Sequence, residues 1–163
     1  MIFQGPERPL FTLTMSLEEE IQQKEFRNEY QRTAINLIFT TNWIVGRQQN
    51  FFNRFNITPK QYNVLRILKG QYPGSISTCD IRARMLDKNS DASRIVDRLA
   101  HRELVTKQVC PTDKRLIDVM ISDKGLQVLG VIEDHIKELD NITQSLTESE
   151  ARDLNKLLDK LRS

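Results

Sequence analysis

The sequence predicts a mainly α-helical fold with one small β-hairpin. Between Ser75 and Ser122, two short helical patterns and a tight turn precede two alternating strand patterns. Long amphipathic helical patterns flank this stretch on both sides. The turn between the strands carries the adjacent cations Lys114 and Arg115. This order predicts a winged helix-turn-helix domain, with a helical dimerisation region built from the N- and C-terminal helices.

Length and composition indicate one soluble domain with a substantial core. The chain has 163 residues and a net charge of only +2, so the distribution of charge matters more than its sum. Positive charge is densest at residues 76–115, with nine basic and six acidic residues. No apolar run approaches the roughly 20 residues of a membrane span, and no signal peptide precedes the helices. We therefore expect a cytoplasmic protein without membrane contact.

The N-terminal part contributes one long helix to the prediction. Residues 1–15 are expected to be disordered or a vector-derived remnant, because residues 3–6 are similar to part of a viral protease site used in expression vectors. Ser16 and the acids that follow it form a helix start. The helical pattern then runs from about Leu17 to about Asn53. We assign residues 16–56 to dimerisation; the alternative is a long helix packed wholly within the monomer.

Residues 57–122 form the predicted DNA-binding region. Thr58 is expected to cap a second helix, with Pro59 at its first position, where a missing N–H costs nothing. Ser77 begins a third helix, and Asp80 stands at the spacing of a capping box.

The second helix of the motif is predicted over Asn89–Leu104. On a helical wheel its core face is Ala92, Ile95, Val96 and Leu99. Its outward face is Ser90, Arg94, Asp97 and His101, with Ser93 and Arg98 on the flanks. Short hydroxyls let a helix approach base edges, and arginine binds guanine or phosphate. The alternative is an ordinary solvated face.

The hairpin and the C-terminal helices complete the chain. Strand patterns cover about 104–110 and 116–122, and the basic tip between them suits phosphate or minor-groove contact; the alternative is a solubilising turn. Ser122 is expected to cap a helix over about 123–141, and Thr147 with Glu150 to open the last helix. Residues 123–163, with their leucine stripes, are assigned to dimerisation.

Four segments resemble the MarR family of winged-helix transcription regulators in order and spacing. They are Ile57–Leu65, Ser93–Leu99, Asp113–Arg115 and Ile121–Gly125. The resemblance covers about residues 30–161. It implies a homodimer that binds double-stranded DNA at a pseudo-palindromic operator, with repression as the expected outcome.

The resemblance also implies roles for individual residues. Base or nearby phosphate contacts fall to Asn89, Ser90, Ser93 and Arg94. Phosphate contacts fall to Arg98 and Lys114, while Arg115 enters the minor groove and Asp113 orients it. Ser77 and Thr78 would offer hydroxyl and backbone N–H groups to a phosphate.

Glu103 and Asp97 do not fit the pattern expected of a DNA-binding winged helix. The family usually has glycine where Glu103 stands, so the backbone there is either not left-handed or strained. Asp97 lies on the outward face, where its carboxylate repels phosphate. We expect it to pair with Arg94 or His101 one turn away and to have a structural role.

Relatives of this kind often bind small aromatic or lipophilic effectors between the dimer helices and the DNA-binding part. Trp43, Arg47 and Tyr62 are the candidates to line such a pocket, together with Phe39; the alternative, favoured for Phe39, is that these residues are core. No effector is named by the sequence.

Other functions remain as alternatives. Cys79 and Cys110 allow a cysteine-based redox-responsive regulator, provided that one thiol is accessible and acidic. A winged-helix protein–protein interaction module without DNA binding is a third class. Two isolated histidines give no metal-ligand set, and no catalytic or cofactor-binding motif is present, so neither an enzyme nor a cofactor is expected.

Overall fold

A computed structural model describes residues 15–109 and 117–163. The chain divides into two compact units, residues 1–43 and 44–163, and each is described by itself. The described residues are mainly helical and include a small three-stranded antiparallel sheet, which confirms the predicted fold class. Among these residues no helix has both the length and the hydropathy that crossing a membrane requires.

The first unit contains α1 (Leu17–Glu20) and the start of α2 (Glu29–Asn53), which continues into the second unit. The predicted N-cap is correct: the Ser16 hydroxyl accepts from the Glu19 N–H at 3.4 Å, and the Ser16 N–H donates to Glu19 Oε2 at 2.8 Å. The prediction of one continuous helix from Leu17 to Asn53 is wrong, because α1 has a single turn.

Two local features explain this break. Gln22 has a left-handed φ of 55°, which a continuing right-handed helix does not allow. Asn28 Oδ1 accepts from the Gln31 N–H at 2.9 Å, the geometry of an N-cap, so a new helix starts there. An ion pair between Arg32 and Glu18, at 2.8 Å, links α2 to α1.

In the second unit, α3 (Pro59–Lys69) begins as predicted. Thr58 Oγ1 accepts from the Gln61 N–H at 3.2 Å, and Gln61 Oε1 accepts from the Thr58 N–H at 2.9 Å. This capping box satisfies donors that the first turn leaves unpaired. The inner face of α3 is fully buried and contributes Val64, Leu65 and Leu68 to the core.

The helix-turn-helix consists of α4 (Thr78–Arg84) and α5 (Ala92–His101). The prediction of Asn89–Leu104 for α5 is too long at both ends. Asp91 caps the helix, and its Oδ1 accepts from the Arg94 N–H at 3.0 Å, so residues 89 and 90 belong to the preceding turn.

The sheet has the strand order β1-β3-β2, with β1 (Ile76–Ser77), β2 (Val105–Val109) and β3 (Ile117–Ile121). The predicted hairpin pairs antiparallel from Val105 opposite Ile121 to Val109 opposite Ile117. The third strand, β1, was not predicted, because two residues are too short to show an alternating pattern. It joins the start of α4 to the base of the wing.

The C-terminal helices are α6 (Asp123–Glu133), α7 (Lys137–Asp140) and α8 (Glu148–Leu161). The prediction of one helix over 123–141 is wrong. The N–H of His135 donates to the Ile132 carbonyl at 3.0 Å and that of Ile136 to Glu133 at 3.2 Å. These bonds span three residues instead of four, so the chain tightens and α6 ends.

The core of the second unit lies between α3, the helix-turn-helix, the sheet and α6. Its fully buried large side chains include Leu65, Leu68, Ile81, Met85, Leu99, Leu104, Ile121, Leu129 and Ile132. On the surface, Glu133 of α6 accepts from Arg66 at 2.6 Å and from Lys69 at 2.9 Å. The Lys69 hydrogen bond is the main cause that lowers the pKa of Glu133. These contacts join the C-terminal end of α3 to α6.

Candidate nucleic-acid interface

Helix α5 exposes a polar face, because its opposite face is buried in the core. Ala92, Val96 and Leu99 are buried at helical spacing. Ser93, Arg94, Asp97, Arg98 and His101 are exposed. The helix thus carries hydroxyl and guanidinium donors on a rigid support, as the wheel predicts for these five residues.

Ser90 does not belong to this exposed face, and its predicted outward position is wrong. Only 6% of its surface is exposed, and its hydroxyl donates to Asp87 Oδ2 at 2.8 Å. The helical wheel treated Ser90 as part of α5, although the helix begins only after its N-cap, Asp91. It therefore placed the Ser90 side chain on the exposed face. Ser90 stabilises the turn that precedes α5, while neighbouring Asn89 is exposed.

Asp87 is the centre of that turn. It accepts hydrogen bonds from the Lys60 ammonium at 2.8 Å, from the Ser90 hydroxyl and from the Asn89 N–H at 3.0 Å. These donors, with Lys60 first, lower the pKa of Asp87 to about 2. The turn therefore stays tied to α3 by an ionised carboxylate over the physiological pH range.

The start of α4 differs from its prediction in one respect. Ser77 caps α4 by accepting from the Asp80 N–H at 3.1 Å, but its hydroxyl proton goes to Asp80 Oδ2 at 2.8 Å. Its side chain is buried and internally paired. Ser77 is therefore not available to donate its hydroxyl to a phosphate, whereas Thr78 is partly exposed.

A cleft of about 310 Å³ lies between α4 and the start of α5. It is lined by Thr78, Cys79, Arg82, Asn89, Ser90, Asp91, Ala92 and Ser93. The cleft brings together four predicted residues, Thr78, Asn89, Ser90 and Ser93. It also includes Arg82, a cation that the prediction missed. Arg82 follows the buried Ile81 on α4, so a wheel of that short helix would have indicated its exposure.

The wing is described only in part. Its strands β2 and β3 are described, but the predicted DNA-contacting Lys114 and Arg115, the orienting Asp113 and the second cysteine, Cys110, lie outside the described residues. In β2, Lys107 Nζ lies 2.5 Å from Asp97 Oδ1 of α5. The expected pairing of Asp97 with Arg94 or His101 is therefore replaced by a contact with the wing strand.

Glu103, between α5 and β2, has a left-handed φ of 61°. The Glu103 N–H donates to the Ala100 carbonyl at 2.8 Å and the Leu104 N–H to the Leu99 carbonyl at 3.0 Å. This is a Schellman motif, which favours glycine at the left-handed position. Of the two alternatives offered for Glu103, the structure shows the strained one. Lys124 Nζ lies 2.8 Å from the Glu103 carboxylate and lowers its pKa.

A second cleft, of about 290 Å³, lies between the end of α2 and α7. It is lined by Arg47, Asn50, Phe51, Arg54, Glu138, Leu139 and Ile142. Arg47 is the member of the predicted effector set that lines it. Tyr62 instead packs on Phe52, with 4.5 Å between the ring centroids, so for Tyr62 the core alternative holds. Trp43 lies on α2 in the first unit and is partly exposed.

The charged wall of this second cleft is preorganised. The Arg54 guanidinium binds both carboxylate oxygens of Glu138, and its carbon lies 5.5 Å from the Phe51 ring centroid. The Arg54 hydrogen bond lowers the pKa of Glu138, to which His135 also lies close, at 3.4 Å. Throughout residues 15–109 and 117–163, no cluster of three or more His, Cys, Asp or Glu side chains could hold a metal ion.

The chain is similar to known proteins in sequence and in fold. Residues 57–117 match the model of the MarR family. The chain is 27% identical over 112 residues to the HTH-type transcriptional regulator MhqR of Bacillus subtilis, which covers 67% of this chain and 74% of that protein. The fold is similar to a MarR transcription factor of Planctomyces limnophilus, with a TM-score of 0.65, 26% identity, and 83% and 98% of the two chains covered.

A third similarity concerns a structure that contains DNA. A variant of MarR from Escherichia coli complexed with operator DNA has a TM-score of 0.73 at 20% identity. The alignment covers 85% of this chain and 99% of that one. At this identity the match shows a shared fold.

Proposed function

We propose that the chain is a transcription regulator of the MarR family and that it acts as a homodimeric repressor at a pseudo-palindromic operator. The exposed face of α5 carries this proposal. Arg94 and Arg98 stand on it beside Ser93, next to the cleft with Thr78, Asn89 and Arg82. A face of hydroxyls and guanidiniums on a helix suits base edges and phosphates of the major groove. The operator complex of the Escherichia coli relative supports it.

In this proposal α5 enters the major groove and the wing follows the neighbouring minor groove. Arg94 and Ser93 contact bases, and Arg98, Arg82 and Lys114 contact phosphates. Arg115 enters the minor groove, where Asp113 orients it. Asn89 and the Thr78 hydroxyl extend the contacts along the backbone. The protein works where the chromosome is, in the cytoplasm.

The proposed dimer rests on helices with exposed apolar faces. Helix α8 contains no buried residue, and Leu154, Leu157 and Leu161 are exposed along one side of it. In the first unit, α2 exposes Tyr30, Ile38 and Trp43. Exposed stripes of large apolar side chains indicate contact with a partner. We infer that residues 16–56 and 123–163 dimerise, which sets two copies of α5 on two half-sites.

We further propose that the second cleft binds a small aromatic or lipophilic effector. Phe51, Leu139 and Ile142 supply apolar walls, and Arg47 and the Arg54–Glu138 ion pair supply polar groups. Benzoate and phenol are suitable probes, one charged and one neutral. Binding should raise the melting temperature of the wild-type protein and not that of a Phe51→Ala, Leu139→Ala variant; equal shifts in both would contradict this site.

The central test is fluorescence anisotropy on labelled genomic fragments at moderate salt. We expect some fragment to bind much more tightly than bulk DNA. If none does, the regulator proposal fails, and an interaction module without DNA binding becomes the better explanation.

Two further measurements test the wing and the dimer. Arg115→Ala should weaken binding with the fold intact, and an unchanged affinity would reject the wing assignment. A monomeric mass in solution would refute the dimer.

A further inference from the structure

Lys107 of the wing strand β2 is exposed, but it lies on the same face of the sheet as buried residues. In β2 it stands opposite Val119, and Val105 stands opposite Ile121. Directly opposed residues of an antiparallel pair share one face of the sheet, and Val105, Val119 and Ile121 are all buried. The Lys107 stem therefore leaves the sheet on the face that packs toward the helices. Strand alternation would favour an apolar residue at this position.

The end of this side chain has a defined partner. Lys107 Nζ lies 2.5 Å from Asp97 Oδ1, with the Lys107 side chain 36% exposed and that of Asp97 61% exposed. Asp97 is the single acidic residue in the sequence of α5, and it stands between the proposed DNA contacts Arg94 and Arg98. One wing-strand ammonium thus neutralises the one carboxylate of that helix.

From this geometry we propose that Lys107 shields the Asp97 carboxylate from DNA phosphates. Lys107 is then a positioning residue and does not itself bind phosphate. An unpaired carboxylate close to the phosphate backbone would repel it, whereas a closed ion pair contributes almost no net charge. The inference rests on the proposed DNA-binding function and adds a residue that neither the helix face nor the wing tip contains.

A double-mutant cycle on Lys107 and Asp97 tests whether Lys107 shields the carboxylate. Affinity for the tightest genomic fragment and for bulk DNA is measured by anisotropy, over a series of salt concentrations, for four proteins. Lys107→Gln exposes the carboxylate and should weaken binding to both DNAs about five- to tenfold. Asp97→Asn releases the ammonium, so binding should tighten and the slope of log affinity against log salt should steepen by about one. The double variant should return to within about threefold of wild type, because it is locally neutral again.

Two results would overturn the proposal that Lys107 shields Asp97. One is a double variant as weak as Lys107→Gln, since Lys107 would then act independently of Asp97. The other is an Asp97→Asn variant with wild-type affinity and salt slope. Lys156→Gln opens an exposed ion pair with Asp153 and controls for net charge. Lys156 points away from the side of α8 that exposes Leu154, Leu157 and Leu161, so this variant should keep the proposed dimer and change the affinity little. Melting curves of the variants verify that each is folded.

The cycle separates this inference from the proposed function. A wild-type protein without preference for any fragment rejects sequence-specific regulation, yet the four affinities for bulk DNA still test the shield. A specific wild-type protein with a failed cycle rejects the shield alone.

Discussion

Gly125 presses against the carbonyl of Leu104, so that a Cβ atom at residue 125 would overlap the Leu104 oxygen and lie 2.8 Å from Ile121 Cγ1. The first turn of α6 therefore packs directly against the backbone of Leu104, which lies between α5 and β2. We predict that Gly125→Ala lowers the free energy of unfolding by about 1–3 kcal/mol, because a backbone has to shift.

The same helix provides a control. A Cβ atom at Gly130 would meet nothing within 4 Å, so Gly130→Ala should stabilise α6 by about 0.5–1 kcal/mol. Urea unfolding of both variants measures the difference. Equal effects at the two glycines would contradict the close contact with Leu104.

The left-handed backbone at Glu103 predicts an unusual gain of stability. Glu103→Gly should raise the free energy of unfolding by about 1 kcal/mol, since glycine adopts this conformation without the steric cost of a Cβ atom. Loss of the exposed Lys124 ion pair offsets little of this gain. Glu103→Gln, which removes the charge and keeps the strain, is the matched control and should not stabilise the protein. Denaturant midpoints decide between them.

Arg94 is predicted to contribute to specificity. Arg94→Ala should weaken binding to the tightest fragment by about 1–3 kcal/mol and relax the preference at one base pair if the guanidinium binds a base. A loss of equal size on every DNA would instead make Arg94 a phosphate contact. Arg152→Ala removes the same charge at an exposed position on the side of α8 opposite Leu154, Leu157 and Leu161. This variant should keep the proposed dimer and leave the affinity unchanged.

The lowered pKa of Asp87 predicts that the stability of the protein depends on pH. Its pKa falls from 3.8 to about 2 on folding, so its contribution is complete above about pH 4 and is lost as the pH falls through 2. The free energy of unfolding of the wild type should therefore decrease over this window more than that of Asp87→Asn. Parallel curves for the two proteins would show that the contacts from Lys60 and Ser90 do not hold the carboxylate ionised.

Cys79 offers a direct probe of the first cleft. It is exposed and lines the cleft with Arg82 and Ser93. In a Cys110→Ser background, a bulky maleimide on Cys79 should abolish DNA binding, and bound DNA should slow the alkylation severalfold. Mass spectrometry follows the modification. Alkylation at the same rate with and without DNA would place the interface elsewhere.

How much of this structure can be predicted from the sequence depends on how far apart in the chain the interacting residues lie. The starts of α3 and α6 were predictable because Thr58 and Ser122 cap their own helices through bonds to residues three positions on. The exposed face of α5 followed from its periodicity. The break before α2 was also local, since Asn28 is a good N-cap, but the long apolar pattern obscured it.

Other features of the site could not be predicted because they join distant positions. The Lys107 contact with Asp97 depends on the register of β2 with β3, which no single strand pattern specifies. The buried position of Ser90 follows from where α5 begins, because a wheel that starts at Asn89, three residues before α5, treats Ser90 as helical. The second cleft forms between residues far apart in the chain, such as Arg47 and Ile142, which are 95 positions apart.

Helix α3 is anchored at both ends by ion pairs to different parts of the second unit. Lys60 holds Asp87 in the turn before α5, and about 14 Å further along the helix Lys69 holds Glu133 of α6. Three fully buried side chains between them prevent the helix from bending independently. α3 therefore links α6 to the turn before α5 through ion pairs at its two ends.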